Sequence, residues 1–148
     1  MRDLDRSAVL ARIERIRQSV SVLQEMLDKG EQAFGSEPHV LTVAERHAQV
    51  AAQAALDIAD HIIAAAGWPM PTSYADAFRI VSREGLVPLD LGDRLVRLAG
   101  LRNILVHLYL TIDPQKLFQD ASQGLQDLEQ YCAAVESFLE AEESRRDA

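Results

Sequence analysis

Two stretches of this chain space their apolar residues at alternating intervals of four and three, a pattern that lies on one face only in an α-helix. In the first, Val9, Ile13, Ile16, Val20, Leu23 and Leu27 follow one another in this way; in the last, Phe118, Ala121, Leu125, Leu128, Cys132, Val135 and Leu139 do. So narrow a stripe suits two helices packed nearly antiparallel along their length. Between them lies a stretch with ten alanines from Ala44 to Ala66. Small side chains let neighbouring helices approach closely, which suits the middle of a bundle.

Breakers divide the rest. Gly30 and then Gly35-Ser36-Glu37-Pro38 end the first helix, expected over about residues 5–28, and read as a loop. The alanine-rich helix is expected over about 39–66, stopped by Gly67 with Pro69 and Pro71 behind it. Ser73 with Asp76 resembles a capping box that opens a short helix over 74–83. A fourth helix is expected from about Asp90 through Leu108, ending before Asp113-Pro114, and a fifth over about 115–142 with a frayed acidic end. No stretch alternates like a strand. The expectation is an all-α antiparallel bundle of four long helices and one short one, formed by residues 1–148 as a single domain.

Composition removes several classes. The longest apolar runs, such as Ile62 to Ala66, are too short to span a bilayer, so no membrane partner is expected. Cys132 is alone, so no internal disulfide can form. Together with an opening Met1-Arg2-Asp3-Leu4-Asp5-Arg6 that shows no leader pattern, this suggests a cytoplasmic protein. The net charge is −8, yet it is uneven. Residues 114–148 hold eight acids against three basic residues, whereas residues 94–112 hold Arg94, Arg97, Arg102 and His107 with no acid. A basic strip of this kind offers a local place for an anion without general affinity for nucleic acid. Solvated arginines that balance nearby acids would read the same way.

The strip contains Arg102, Asn103, His107 and Tyr109. An arginine presents a permanent forked charge that matches phosphate oxygens, and a histidine moves protons near neutral pH. Together they are a minimal kit for cleaving a phosphodiester with the neighbouring ribose hydroxyl. On an ideal helix Asn103 and His107 are neighbours one turn apart, but Arg102 and His107 point about 140° apart. One straight helix cannot aim both at one phosphate. Either the helix deforms before His107 or two copies of the chain share residues across an interface, with Gly100 permitting close approach.

The run Leu101-Arg102-Asn103-Ile104-Leu105-Val106-His107-Leu108-Tyr109, followed by Ile112-Asp113-Pro114, resembles the signature of the HepT-like branch of HEPN proteins. Glu45-Arg46 with Asp57-Ile58-Ala59, and Pro71 through Phe78, resemble the family's flanking segments, so the likeness covers about residues 40–140. It implies a HEPN-type bundle and a metal-independent ribonuclease toxin that needs no cofactor. It also implies a homodimer whose motif residues line a cleft between subunits. Arg102 and His107 match the catalytic pair, and Asn103 the accompanying position. Tyr109 matches the tyrosine to which a partner nucleotidyltransferase antitoxin attaches AMP. The alternative is a non-catalytic partner or substrate-binding subunit of a nucleotidyltransferase.

Other residues fit quieter roles. Arg46, Gln53 and Asp57 share one face of the alanine-rich helix, either as a polar network behind the motif helix or as a plain salt-bridge stripe. Asp57, Asp60 and His61 have the spacing of metal ligands, but no further ligand matches it, so no metal is expected. His39 and His47 are expected near solvent, Tyr74 and Tyr131 in packing, and Cys132 as an inert core residue.

Overall fold

The computed structural model describes residues 3–148, with every side chain except that of Tyr109. The chain forms α1 (Arg6–Leu27), α2 (Glu31–Ser36), α3 (Pro38–Ala66), α4 (Tyr74–Arg83), α5 (Leu89–His107) and α6 (Pro114–Asp147). A single 3-10 turn, Tyr109–Thr111, lies between α5 and α6, and no strand occurs among the described residues. No described helix is long and apolar enough to cross a membrane.

Local chemistry places most of the boundaries. Asp5 caps α1 by accepting from the Ala8 amide at 3.0 Å, and Asp113 caps α6 by accepting from that of Gln115 at 3.0 Å. Pro38 and Pro114 sit in the first turn of α3 and α6, where a missing N–H costs nothing. Gly67 closes α3 with φ of 71°, the left-handed geometry that glycine tolerates. Ser73 caps α4 through the Asp76 amide, but Asp76 returns its bond to the amide and hydroxyl of Thr72 rather than to Ser73, so the capping box is only half formed.

Two expectations need correction. The segment read as a loop holds α2, a helix of six residues despite Gly35 and Ser36. Phe34 anchors it, buried and set edge-to-face against Phe118 of α6 at 5.2 Å. The acidic end of α6 does not fray at Glu140: helix continues to Asp147. Arg6 at the start of α1 donates to the Leu139 carbonyl at 3.1 Å and pairs with Glu143 at 3.3 Å, so the two ends support each other.

Cross-helix bonds give the topology. Asp5 donates its amide to His61 Nε2 at 2.9 Å, and Ser19 meets His47 further along, so α1 and α3 run antiparallel. Arg6 with Glu143, and Arg17 with Glu129 and Glu136, set α6 antiparallel to α1. Arg94 reaching Asp127 and Gln130, with Leu98 further along α5 set against Gly124, does the same for α5 against α6. All six helices contribute to the core, and α3 lines it along most of its length. Ala44, Ala48, Ala51, Ala52, Ala55 and Ala59 are all buried there, and Tyr131 donates its hydroxyl to the Ala55 carbonyl at 2.9 Å. Burial pushes the Cys132 thiol up to about 12, so this cysteine is an apolar core residue.

Candidate active site

Helix α5 carries the arginine and histidine of the motif. Its inner face buries Leu91, Leu95, Leu98, Leu101 and Leu105, which ties the helix to the bundle. Its outer face shows Leu89, Arg97, Gly100, Asn103, Ile104 and His107. The α-helical hydrogen bonding runs unbroken to His107, and the Leu108 amide still donates to the Ile104 carbonyl at 2.8 Å. The helix does not deform before His107. Of the two ways to bring Arg102 and His107 onto one phosphate, that one is closed within this chain.

The chain then turns sharply. Leu108 leaves the helix with φ −123° and ψ 32°, and its carbonyl accepts from both the amide and the hydroxyl of Thr111. His107 therefore stands exposed on the last residue of α5. Tyr109 follows in the 3-10 turn; its side chain lies outside the described part of the structure.

Arg102 has a different surrounding. Its Nε donates to Gln53 Oε1 of α3 at 2.8 Å, and its Nη1 donates to Asn103 Oδ1 at 3.2 Å. The Tyr74 ring from the start of α4 lies against the guanidinium, with Cζ 4.5 Å from the ring centroid. Gln53 in turn donates from Nε2 to Asp57 Oδ1 at 2.9 Å, and Asp57 Oδ2 is 4.0 Å from Arg12 Nε of α1. A polar chain thus crosses three helices and ends at the arginine. Asn103 links the two faces: it accepts from Arg102 and stands one helical turn before His107.

The other basic residues of the strip divide in the same way. Arg94 is occupied by Asp90, Asp127 and Gln130. Arg97 is exposed, with no hydrogen bond or ion pair among the described residues. It borders a cavity of about 360 Å³ between α5 and α6, together with Gly100, Ile104, Lys116 and Gln123.

The sequence profile of the family described as ribonuclease HepT-like matches residues 10–135, most of the chain. The chain belongs to the HepT-like ribonuclease family. It is 32% identical over 105 residues to the tRNA nuclease HepT of Aphanizomenon flos-aquae, covering 71% of each chain. It is 26% identical over 132 residues to the mRNA nuclease HepT of Shewanella oneidensis, covering 87% of this chain and 96% of that one. In fold it matches the tri-AMPylated HEPN toxin of Shewanella oneidensis solved with its MNT antitoxin. That match has a TM-score of 0.82 at 23% identity over 90% of this chain and 99% of the other. The HEPN-type all-α fold expected from the sequence is the fold observed, with α2 as an additional short helix.

Within this HepT-like chain the structure joins some of the expected residues and separates others. Arg102, Asn103, Gln53 and Asp57 form one hydrogen-bonded group. Arg46 stays outside it, exposed two turns earlier on α3 with no hydrogen bond among the described residues. His61 accepts from the Asp5 amide and Asp57 from Gln53, so the two serve separate structural bonds. His47 is half-buried against Ser19 rather than solvated. Tyr74, read as a packing residue, supports the arginine instead. Its place at the first position of a capped helix, within a segment resembling the family, was the one signal for it. Arg12 had none.

Proposed function

We propose that this chain is the ribonuclease toxin of a toxin–antitoxin pair. It cleaves RNA in the cytoplasm without metal and is neutralised by a nucleotidyltransferase antitoxin. The observation that carries the reading is the position of an arginine, held at one end of a polar chain, on the same helix as an exposed histidine. The ribose 2′-oxygen attacks the adjacent phosphorus, the bond from phosphorus to the 5′-oxygen breaks, and a 2′,3′-cyclic phosphate remains. Arg102 stabilises the charge that builds on the phosphoryl oxygens. His107 takes the 2′-proton or supplies one to the departing 5′-oxygen. Asn103 orients His107 or the phosphate.

A homodimer completes this site. α5 is unbroken through Arg102 and His107, which an ideal helix points about 140° apart, so one chain does not aim both groups at one phosphate. The outer face of α5 offers the contact: a Cβ on Gly100 would meet nothing within 4 Å and Leu89 is 73% exposed, while Leu108 and Leu110, just past the end of α5, are 54% and 85% exposed. Paired across that face, two chains supply two histidines to one cleft, one as base and one as acid. Tyr109, beside the cleft, is the acceptor of AMP from the antitoxin. That added negative charge would occupy Arg102 and repel RNA phosphates.

The test is cleavage of total RNA by the purified protein in EDTA. Wild type is expected to cut and to leave cyclic phosphate ends. His107→Ala is expected to lose about 10²–10⁴-fold in rate with its helical content intact. Arg102→Lys fails as well, because the charge stays but the two-pronged phosphate contact goes. A wild type that leaves all RNA whole, or a His107→Ala that still cuts, would favour a non-catalytic partner of the nucleotidyltransferase.

A further inference from the structure

Three neighbouring side chains hold the guanidinium of Arg102, and the way this is done is specific. An amide can turn either its oxygen or its NH2 toward a neighbour. At position 53 only the oxygen serves, because Arg102 Nε can only donate. Asp57 settles the choice. Its carboxylate only accepts, so Gln53 must aim Nε2 at Asp57 and thereby Oε1 at Arg102. The Tyr74 ring lies beside the guanidinium, with Cζ 4.5 Å from the ring centroid, and Asn103 takes Nη1. Nη2 has no hydrogen-bond partner among the described residues.

We infer that Gln53 and Tyr74 are positioning residues that hold the plane of Arg102 so that its Nη2 edge faces the scissile phosphate of RNA. This rests on the ribonuclease reading above. Gln53 suits the task because it is neutral: an amide fixes the guanidinium without cancelling the charge that the phosphate needs. A carboxylate at that position would hold the arginine equally well but discharge it. The Tyr74 ring adds a cation–π support that takes up no hydrogen bond of Arg102 and so leaves its free N–H groups available. Asp57 acts one bond further away, by choosing which end of the Gln53 amide faces α5.

The experiment uses the full-length chain, with two readouts. One is the nitrogen-15 NMR signal of the Arg102 Nε–H and its exchange with water, which needs no activity. The other is steady-state cleavage of a short RNA across pH. Gln53→Leu is expected to expose the Nε–H to fast exchange. It should lower kcat about 10- to 100-fold, the scale of misplacing a reacting group by about 1 Å, while the pH profile set by His107 keeps its shape. Gln53→Glu should keep the Nε–H protected yet raise KM. Tyr74→Leu should lower kcat, and Tyr74→Phe should restore most of the loss, because the ring and not the hydroxyl supports the arginine. Should Gln53→Leu fail to fold, the Tyr74 pair decides the matter alone. An Nε–H that stays protected in Gln53→Leu, or a kcat unchanged in both Gln53→Leu and Tyr74→Leu, overturns the proposal. If the wild-type chain cuts no RNA, the ribonuclease reading falls, while the exchange measurement still decides whether Gln53 holds Arg102.

Discussion

His47 shows at the level of one residue how the fold alters an acid–base group. Burial holds its imidazole below the ordinary histidine range, and the nearby charges of Arg15 and Arg46 push the same way. The folded chain therefore binds this proton more weakly than the unfolded chain. Above the ordinary histidine pKa of about 6.5 neither form is protonated there, and the residue adds no pH dependence. As pH falls through that value the unfolded chain gains a proton first, and stability drops. The melting temperature of His47→Gln should thus fall less than that of wild type between about pH 7 and pH 5.5. Scanning calorimetry would show it; equal slopes would mean that His47 is not titrating in this way. Glu45 and Asp60, both raised by burial, work in the opposite direction and favour the folded chain as pH falls.

Among the helices, α4 and α5 come very close at one point. A Cβ built on Gly92 would come within 2.5 Å of Ser82 Cβ, too close for any real contact. Gly92→Ala is expected to cost about 1–3 kcal/mol, the usual scale of overpacking, and urea unfolding would measure it. Ser82→Gly should recover part of that loss in the double variant, since it removes the colliding atom. Most helix boundaries were legible in the sequence because caps and breakers act locally. Ser73 and Asp113 open a helix, and Gly67 closes one, through atoms a few residues away. α2 and the end of α6 were not legible. Phe34 gains its helix from Phe118, and the end of α6 gains its support from Arg6, partners that stand far away along the chain.

For the whole molecule the decisive question is assembly. Light scattering at micromolar concentration is expected to give twice the 16.4 kDa mass of one chain. Gly100→Glu, which sets a carboxylate at the centre of the outer face of α5, should yield a folded monomer that no longer cuts RNA. A monomeric wild type that still cuts would sink the shared cleft. The sequence by itself determined the helical class, the helix that bears Arg102 and His107, and the angle that separates them. These follow from periodicity and from caps, which are properties of neighbours in the chain. Only the tertiary structure decided that Gln53 and Tyr74, from α3 and α4, hold Arg102 while Arg46 does not, and that α5 runs unbroken to an exposed His107. Periodicity can put Arg46, Gln53 and Asp57 on one face of a helix. Which of them meets Arg102 depends on where α5 crosses α3, and that crossing is set by packing of the whole bundle.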